Sequence, residues 1–214
     1  TMTANNGTWH TGAVVGEDSL VASNTEGAVL LPGTAGGNTA GIGPAGSGPR
    51  TVMLTMQTTT DFTGTSNALV FWGDSAANPG AQFYVDLNSD SATGTLNALR
   101  VNVAGGSVTG STPLNDGVPH HLVVACAGTD IIDTRLYVDG VEEQISYASS
   151  QSIDTASSGY TVNYGRRPTP AWSYFTGSMS DLAIYLRQLT PIEARYLYAA
   201  HTALTTGLDY VAED

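Results

Sequence analysis

Hydrophobic and polar positions alternate along much of this chain with a period of two. Val52, Leu54 and Met56 alternate with Met53, Thr55 and Gln57, and Phe83, Val85 and Leu87 alternate with Tyr84 and Asp86, while Leu99, Val101 and Val103 repeat the device. Successive side chains on a strand point to opposite faces, so each stretch predicts a strand with one face inward. Three segments are apolar on both faces: Ala68 to Trp72, Leu122 to Ala127, and Leu182 to Tyr185. These are the expected central strands. Turn signals arrive every 8 to 15 residues between them, the spacing of an all-β sandwich. Asp139-Gly140, set between apolar strands, reads as a two-residue hairpin turn, and Gly177 within a strand pattern marks a bulge or a close backbone approach.

One helix is predicted. Thr190-Pro191-Ile192-Glu193 combines a capping Thr, a Pro at the first helical position and a Glu three residues after the cap. Ile192, Tyr196 and Ala199 or Ala200 recur at helical spacing, so a helix near 191–201 is expected to lay that stripe on the sandwich, with Arg195 exposed. The Gly-rich run from Thr34 to Gly48 reads as a long surface loop, because the roughly 33 residues before it are too few for an ordinary independent domain. The first ~30 residues then supply strands to the same sandwich, giving one domain over 1–204 and a polar tail over 205–214.

Charge narrows the partners. Of 214 residues, 19 are acidic and 7 basic, a formal net charge of −12, and every basic residue is Arg. Such a surface repels phosphate backbones, which argues against nucleic acid and anionic membranes. No apolar run reaches the ~20 residues that a membrane span requires. Thr1-Met2-Thr3 carries no signal-peptide pattern, and a chain opening at Thr1 is expected to be a processed, excised or partial polypeptide. Cys126, the single cysteine, lies in an apolar run and is expected to be a buried thiol.

Four stretches, in order, resemble the laminin-G-like subgroup of concanavalin A-like sandwiches. Asp116-Gly117-Val118-Pro119-His120-His121-Leu122 is similar to the family's "G-x-W-H-H-hydrophobic" strand start, with Pro119 where the family usually has Trp. Leu136-Tyr137-Val138-Asp139-Gly140 resembles its "L-Y-V-D-G" hairpin, and Tyr160 to Arg166 its "x-I-G-R" strand end. Phe175 to Tyr185, then Arg187, Leu189-Thr190-Pro191-Ile192-Glu193 and Tyr198-Ala199-Ala200, resembles its "F-x-G-x-I-D" to "L-T-x-x-E" ending. The likeness covers roughly residues 80–201. It implies an antiparallel two-sheet jelly-roll sandwich with one short C-terminal helix. The ending also looks like laminin-G-like domains of bacteriophage tail and virion proteins, which implies an extracellular or virion-surface setting. The partners it implies are a glycan or cell-surface receptor, or neighbouring virion proteins in a decoration, cement or fibre role, with a homo-oligomer also in scope.

Candidate chemistry is sparse. Concanavalin A-like folds include glycosidases, which need two carboxylates on one face, two or four residues apart on a strand. No Glu has such a partner, and Glu142 and Glu143 are adjacent. Asp86, Asn88 and Asp90 have the spacing but run into turn residues, and are expected in a solvated loop. No G-x-S-x-G elbow, zinc spacing or phosphate loop is present, so a non-catalytic module is expected. His120 and His121 point to opposite faces of a strand and cannot share a metal; each is expected to be packed or hydrogen-bonded. The resemblance implies calcium at the sandwich rim, with Asp181 as ligand and Glu17 or Asp18 as its companion, hard oxygens suiting that ion. For ligand binding the loop from Arg166 to Tyr174 stands out, joining Arg166, Arg167, Trp172 and Tyr174 to two stiffening prolines. Sugars stack on aromatics, and Arg suits a carboxylate on an acidic sugar or a neighbouring subunit.

Overall fold

A computed structural model describes residues 43–74, 78–156, 161–167 and 173–202 with their side chains (the side chain of Thr161 excepted), and as backbone the strands within 2–42 and the helix through 205. Two large antiparallel sheets face each other. The first runs, in spatial order, Met2–Thr3, Gly37–Ile42, Thr161–Tyr164, Val70–Gly73, Gln82–Leu87, Ala98–Asn102, Ser107–Pro113 and Tyr147–Ser149. The second runs Val141–Glu142, Thr134–Val138, His120–Cys126, Arg50–Gln57, Thr176–Tyr185, Ser19–Ala22 and Ala13–Gly16, with Val29–Pro32 also paired to Thr176–Tyr185. This is a concanavalin A-like jelly-roll sandwich with one C-terminal helix, Pro191–Thr205. The tail expected beyond it lies outside the described residues.

The period-two pattern accounts for the core. Val52, Leu54 and Met56, then Phe83, Val85 and Leu87, then Leu99, Val101 and Val103 all project between the sheets with Leu122, Val124 and Cys126. Trp72 stacks on Phe83 at 4.6 Å and Phe62 on Phe175 at 5.7 Å between ring centroids. Removing each such side chain from water contributes roughly 1.5–3 kcal/mol, enough for a domain of this size to hold without a disulfide. Cys126 is fully buried, and burial pushes its thiol pKa up.

Two turn features follow local chemistry. Asp139 and Gly140 have φ of 51° and 75°, both left-handed, and join the strands Thr134–Val138 and Val141–Glu142. Gly177 has φ of 146°, and a Cβ there would lie 2.2 Å from the carbonyl oxygen of Gln57 on the paired strand. The helix start is a capping box. Thr190 N–H and Oγ1 donate to Glu193 Oε2 at 2.8 and 2.9 Å, and Glu193 N–H donates to Thr190 Oγ1 at 3.3 Å.

Three expectations are corrected. Part of the Thr34–Gly48 run is not loop: Gly37–Ile42 is a strand of the first sheet, held between Met2–Thr3 and Thr161–Tyr164. Ladder bonds need only backbone, so a Gly- and Ala-rich segment pairs without a side-chain signal. The following loop is fixed by the buried guanidinium of Arg50, which donates to the carbonyls of Pro44, Gly46 and Gly48 at 2.6–3.0 Å.

The helix, secondly, docks by a different face from the one expected. Ile192 and Tyr196 are 77% and 71% exposed, whereas Ala194 is fully buried and Leu197 packs with it against Val123, Ala125, Tyr137 and Met53. Small Ala194 lets the backbone approach the sheet closely, which bulky Ile192 would prevent. Thirdly, Asp86 and Asn88 are fully buried rather than solvated, and Tyr84 is 3% exposed. The outward face of their strand is covered, and what covers it forms the candidate site.

Candidate functional site

The outer face of the first sheet is read from strand register. Asn163, Phe71, Tyr84, Asn102 and Ser107 lie directly opposite one another across five strands, and Asp86, Arg100 and Thr109 form a second row beside them. Side chains so paired sit about 4.5–5.5 Å apart at Cβ, which makes the rows continuous. Each alternates with core residues such as Val70, Val85 and Val101. The outward positions therefore carry polar groups on a rigid support.

One row is an internal ion pair. Arg100 Nε donates to Asp86 Oδ1 at 2.9 Å and Nη2 bonds Asp86 Oδ2, a bidentate contact to a carboxylate with no solvent exposure. Arg100 Nη1 reaches Asn88 Oδ1 at 3.1 Å and Thr93 Oγ1 at 3.3 Å. Burial works against the guanidinium charge, but Asp86 outweighs it and raises the Arg100 pKa. Asp86 is thereby committed to Arg100. Glu142 pairs with exposed Arg135 at 3.4 Å, and Glu143 accepts from the N–H groups of Ser111 and Thr112 at 2.9 Å, so these carboxylates do not converge.

Above the other row lies a two-stranded ribbon, in which Arg166 pairs with Tyr174 and Arg167 with Ser173. Its base is tied to the sheet: Gly165 N–H donates to Leu69 O at 2.9 Å and Phe175 N–H to Gly165 O at 3.0 Å. Arg166 Nε donates to Asn163 Oδ1 at 3.3 Å. Arg167 folds down onto the sheet, its Cζ 5.4 Å from the Phe71 ring centroid and 5.0 Å from that of Tyr84. The two rings meet edge to face at 6.0 Å, and Tyr84 OH bonds the Asn67 carbonyl. Arg167 Nη2 donates to Gln82 Oε1 at 2.9 Å, and Gln82 Nε2 to Asn102 Oδ1 at 2.7 Å. A cation over two aromatic faces gains from both ring quadrupoles.

The structure thus brings Arg166, Arg167 and Tyr174 together over this face, while Trp172 lies outside the described residues. Phe71, Tyr84, Gln82, Asn102 and Asn163 were not singled out from sequence. Their one signal was that Phe71 and Tyr84 are aromatic at outward positions, which requires a cover.

Asp181 sits elsewhere, at a register shift in Thr176–Tyr185 with φ of 54°, on the outer side of the second sheet near the helix. Ser180 Oγ donates to Asp181 Oδ2 at 2.8 Å, and His201 Nδ1 lies 3.5 Å from the same oxygen. Glu17 and Asp18 lie outside the described residues. Calcium takes six to eight oxygens, and among the described residues Asp181 offers one carboxylate beside the His201 imidazole. Among the described residues no group of three or more His, Cys, Asp or Glu side chains is placed to hold a metal.

Both histidines of the His120-His121 pair are held as neighbours on opposite faces require. His120 Nδ1 is 2.8 Å from Asp139 Oδ2 and Nε2 3.2 Å from Asp116 Oδ1. His121 is 2% exposed beneath the helix, 6.0 Å from the Tyr198 ring and 5.6 Å from that of His201, with neither ring nitrogen hydrogen-bonded among the described residues. Burial, and then the nearness of His201, push its pKa down to about 4 against the opposing pull of Asp139 and Asp181.

Comparison with known proteins places this geometry. A family model described as the concanavalin A-like lectin/glucanases superfamily, of laminin-G type, matches residues 51–195. Among curated proteins none matches. Among solved structures, domain 4 of AbnA, a GH43 extracellular arabinanase from Geobacillus stearothermophilus in complex with arabinotriose, is 21% identical with a TM-score of 0.56, covering 92% of this chain and 87% of that one. A heptameric SAP-like pentraxin from Limulus polyphemus is 16% identical with a TM-score of 0.59, over 87% of this chain and 84% of that one. The CBM40 of a Ruminococcus gnavus IT-sialidase bound to α2,3-sialyllactose is 12% identical with a TM-score of 0.57, over 87% of this chain and all of that one. These likenesses are of fold. No helix among the described residues is long and apolar enough to cross a membrane.

Proposed function

The chain belongs to the concanavalin A-like lectin/glucanases superfamily, and from that premise we propose that it is a non-catalytic glycan-binding module, working at an extracellular or virion surface. The observation that carries this reading is the ribbon of Arg166, Arg167 and Tyr174, fixed over a polar row on rigid strands. A sugar needs several hydrogen-bonding groups and an aromatic edge held in advance of binding, so that little entropy is lost on contact. Half-buried Asn102, Arg166 and Arg167 supply the first, held in place by Gln82 and Asn163 beneath them, and Tyr174 the second. The committed state of Asp86 favours recognition over hydrolysis, since a glycosidase needs two carboxylates available on one cleft. The neighbours whose own complexes contain arabinotriose and sialyllactose support the same class of ligand.

The test is a glycan array probed with the whole chain and with Arg166→Ala, Trp172→Ala and Tyr174→Ala variants that keep the parent melting temperature. The parent binds a defined set of saccharides and each variant binds them at least ~10-fold more weakly. Unchanged binding by all three variants would place the site elsewhere.

A second reading, that the domain acts through protein contacts as a decoration or fibre component or as a homo-oligomer, is favoured by one feature. Ile192 and Tyr196 are 77% and 71% exposed at a depression lined also by Tyr185, Leu189 and Leu197. Under that reading the chain associates in sedimentation, Tyr196→Ser abolishes the association, and no sugar binds.

A further inference from the structure

The geometry points to an acidic saccharide as the ligand of this face, with Arg167 as the residue that receives its carboxylate; the inference rests on the glycan-binding reading above. In a chain with 19 acidic and 7 basic residues, an arginine near the surface ordinarily finds an acid. Arg167 does not: among the described residues its contacts are the Gln82 amide oxygen at 2.9 Å and the rings of Phe71 and Tyr84, with no carboxylate in ion-pair range. The nearest acid on the face, Asp86, is held bidentately by Arg100 and has no solvent exposure. Arg167 Nε is buried without a hydrogen bond among the described residues, while the residue as a whole is half-buried, so a ligand meets the guanidinium at its outer nitrogens.

Such a cation is unusually ready for an anion. The two rings fix the plane of the guanidinium without neutralising it, since ring quadrupoles attract a cation but carry no net charge. A fixed planar fork matches the two oxygens of a carboxylate, and little side-chain freedom is lost when they meet. Beside it, buried Gln82 links Arg167 to half-buried Asn102, whose amide stands beside the guanidinium where a hydroxyl flanking an acid group on a sugar ring would fall. The overall charge of −12 repels acidic ligands in general, so the local cation has to be specific rather than part of a basic patch.

The experiment compares acidic and neutral partners of one shape: α2,3-sialyllactose against lactose, and trigalacturonate against its methyl ester, titrated into the whole chain at low and moderate salt. At least one acidic probe binds ~10-fold or more tightly than its neutral counterpart, and the ratio falls as salt rises. Arg167→Gln brings the ratio to about one and Arg167→Lys, which keeps the charge but loses the fork, leaves it in between. Equal binding of acidic and neutral probes by the parent chain overturns this inference while leaving the glycan-binding reading intact. Failure of every saccharide on an array overturns both. Because the parent comparison needs no variant, a substitution that unfolds the protein does not remove the test.

Discussion

Acid should unfold this domain earlier than its carboxylates alone would require, because of His121. The ring lies at the seam between the second sheet and the helix, facing Thr55 and Asp139 on the sheet side, Asp181 on the neighbouring strand, and Tyr198 and His201 on the helix. Its folded pKa is about 4 against the ordinary imidazole value of 6.5, so between those values the unfolded chain binds a proton that the folded one refuses. Stability from this source is complete above about pH 6.5 and is lost as pH falls toward 4. The difference of roughly 2.5 units, at ~1.4 kcal/mol each, gives a loss of about 3 kcal/mol. Against a typical total of ~5–15 kcal/mol that is a large share, and in a domain of this size it lowers Tm by roughly 6–12 °C. The assay is urea unfolding at pH 7, 6, 5 and 4 for the parent and for His121→Leu, which fills the space without titrating. Glu193 and Asp61, held down to about 2, begin to lose their contribution as pH falls through the ordinary carboxylate values of 4.5 and 3.8, but equally in both proteins, so the difference between parent and variant isolates His121. The variant should lose about 3 kcal/mol less than the parent over this pH range. Equal losses in the two proteins would refute the reasoning.

Three further outcomes are expected. Gly177→Ala forces a Cβ to 2.2 Å from the Gln57 carbonyl at a φ of 146°, and should cost at least about 2 kcal/mol in urea unfolding, with Gly177→Val worse. Arg100→Met leaves the Asp86 carboxylate buried and unpaired, a loss of ~3–5 kcal/mol, which the Asp86→Leu/Arg100→Met double variant should largely recover; equal stability of the single and double variants would deny the pair its coupling. Thr190→Ala removes one half of the capping box and should cost about 1 kcal/mol, with the Glu193 carboxyl rising from about 2 in an NMR titration.

What could be read from sequence was what local chemistry decides. Asp139-Gly140 declares a turn because both positions need positive φ, and Thr190 with Glu193 declares a helix start because one side chain caps the other. The inward face of Arg50–Gln57 follows from Val52, Leu54 and Met56 with no knowledge of their partners. The misreadings share a non-local cause. Gly37–Ile42 pairs through backbone supplied by residues 161–164, which its own side chains do not announce. The helix carries two apolar stripes, and only the surface of Met53, Val123 and Tyr137 selects Ala194 and Leu197 over Ile192 and Tyr196. Asp86 looked solvated because its partner, Arg100, stands on the next strand, and its site became visible only once Arg167 was seen over Phe71 and Tyr84, some 80 to 100 residues earlier in the chain.

The two outer faces of the sandwich are closed by different means, and that difference bears on recognition. The second sheet is covered by a helix docked through apolar contacts around Val123, Ala125 and Tyr137. The first is covered by a ribbon of two residues on each side, whose arginines reach back to amides and aromatic rings of the sheet. A cover made of hydrogen bonds and cation–aromatic contact can exchange a partner for a ligand group of the same kind at small cost, whereas an apolar cover would have to be pulled into water at about 25 cal/mol for each Å² exposed. The proposed recognition of a polar, hydroxyl-rich molecule is therefore assigned to the ribbon side, and the exposed stripe of Ile192 and Tyr196 on the helix side is the surface that the protein-contact reading would use.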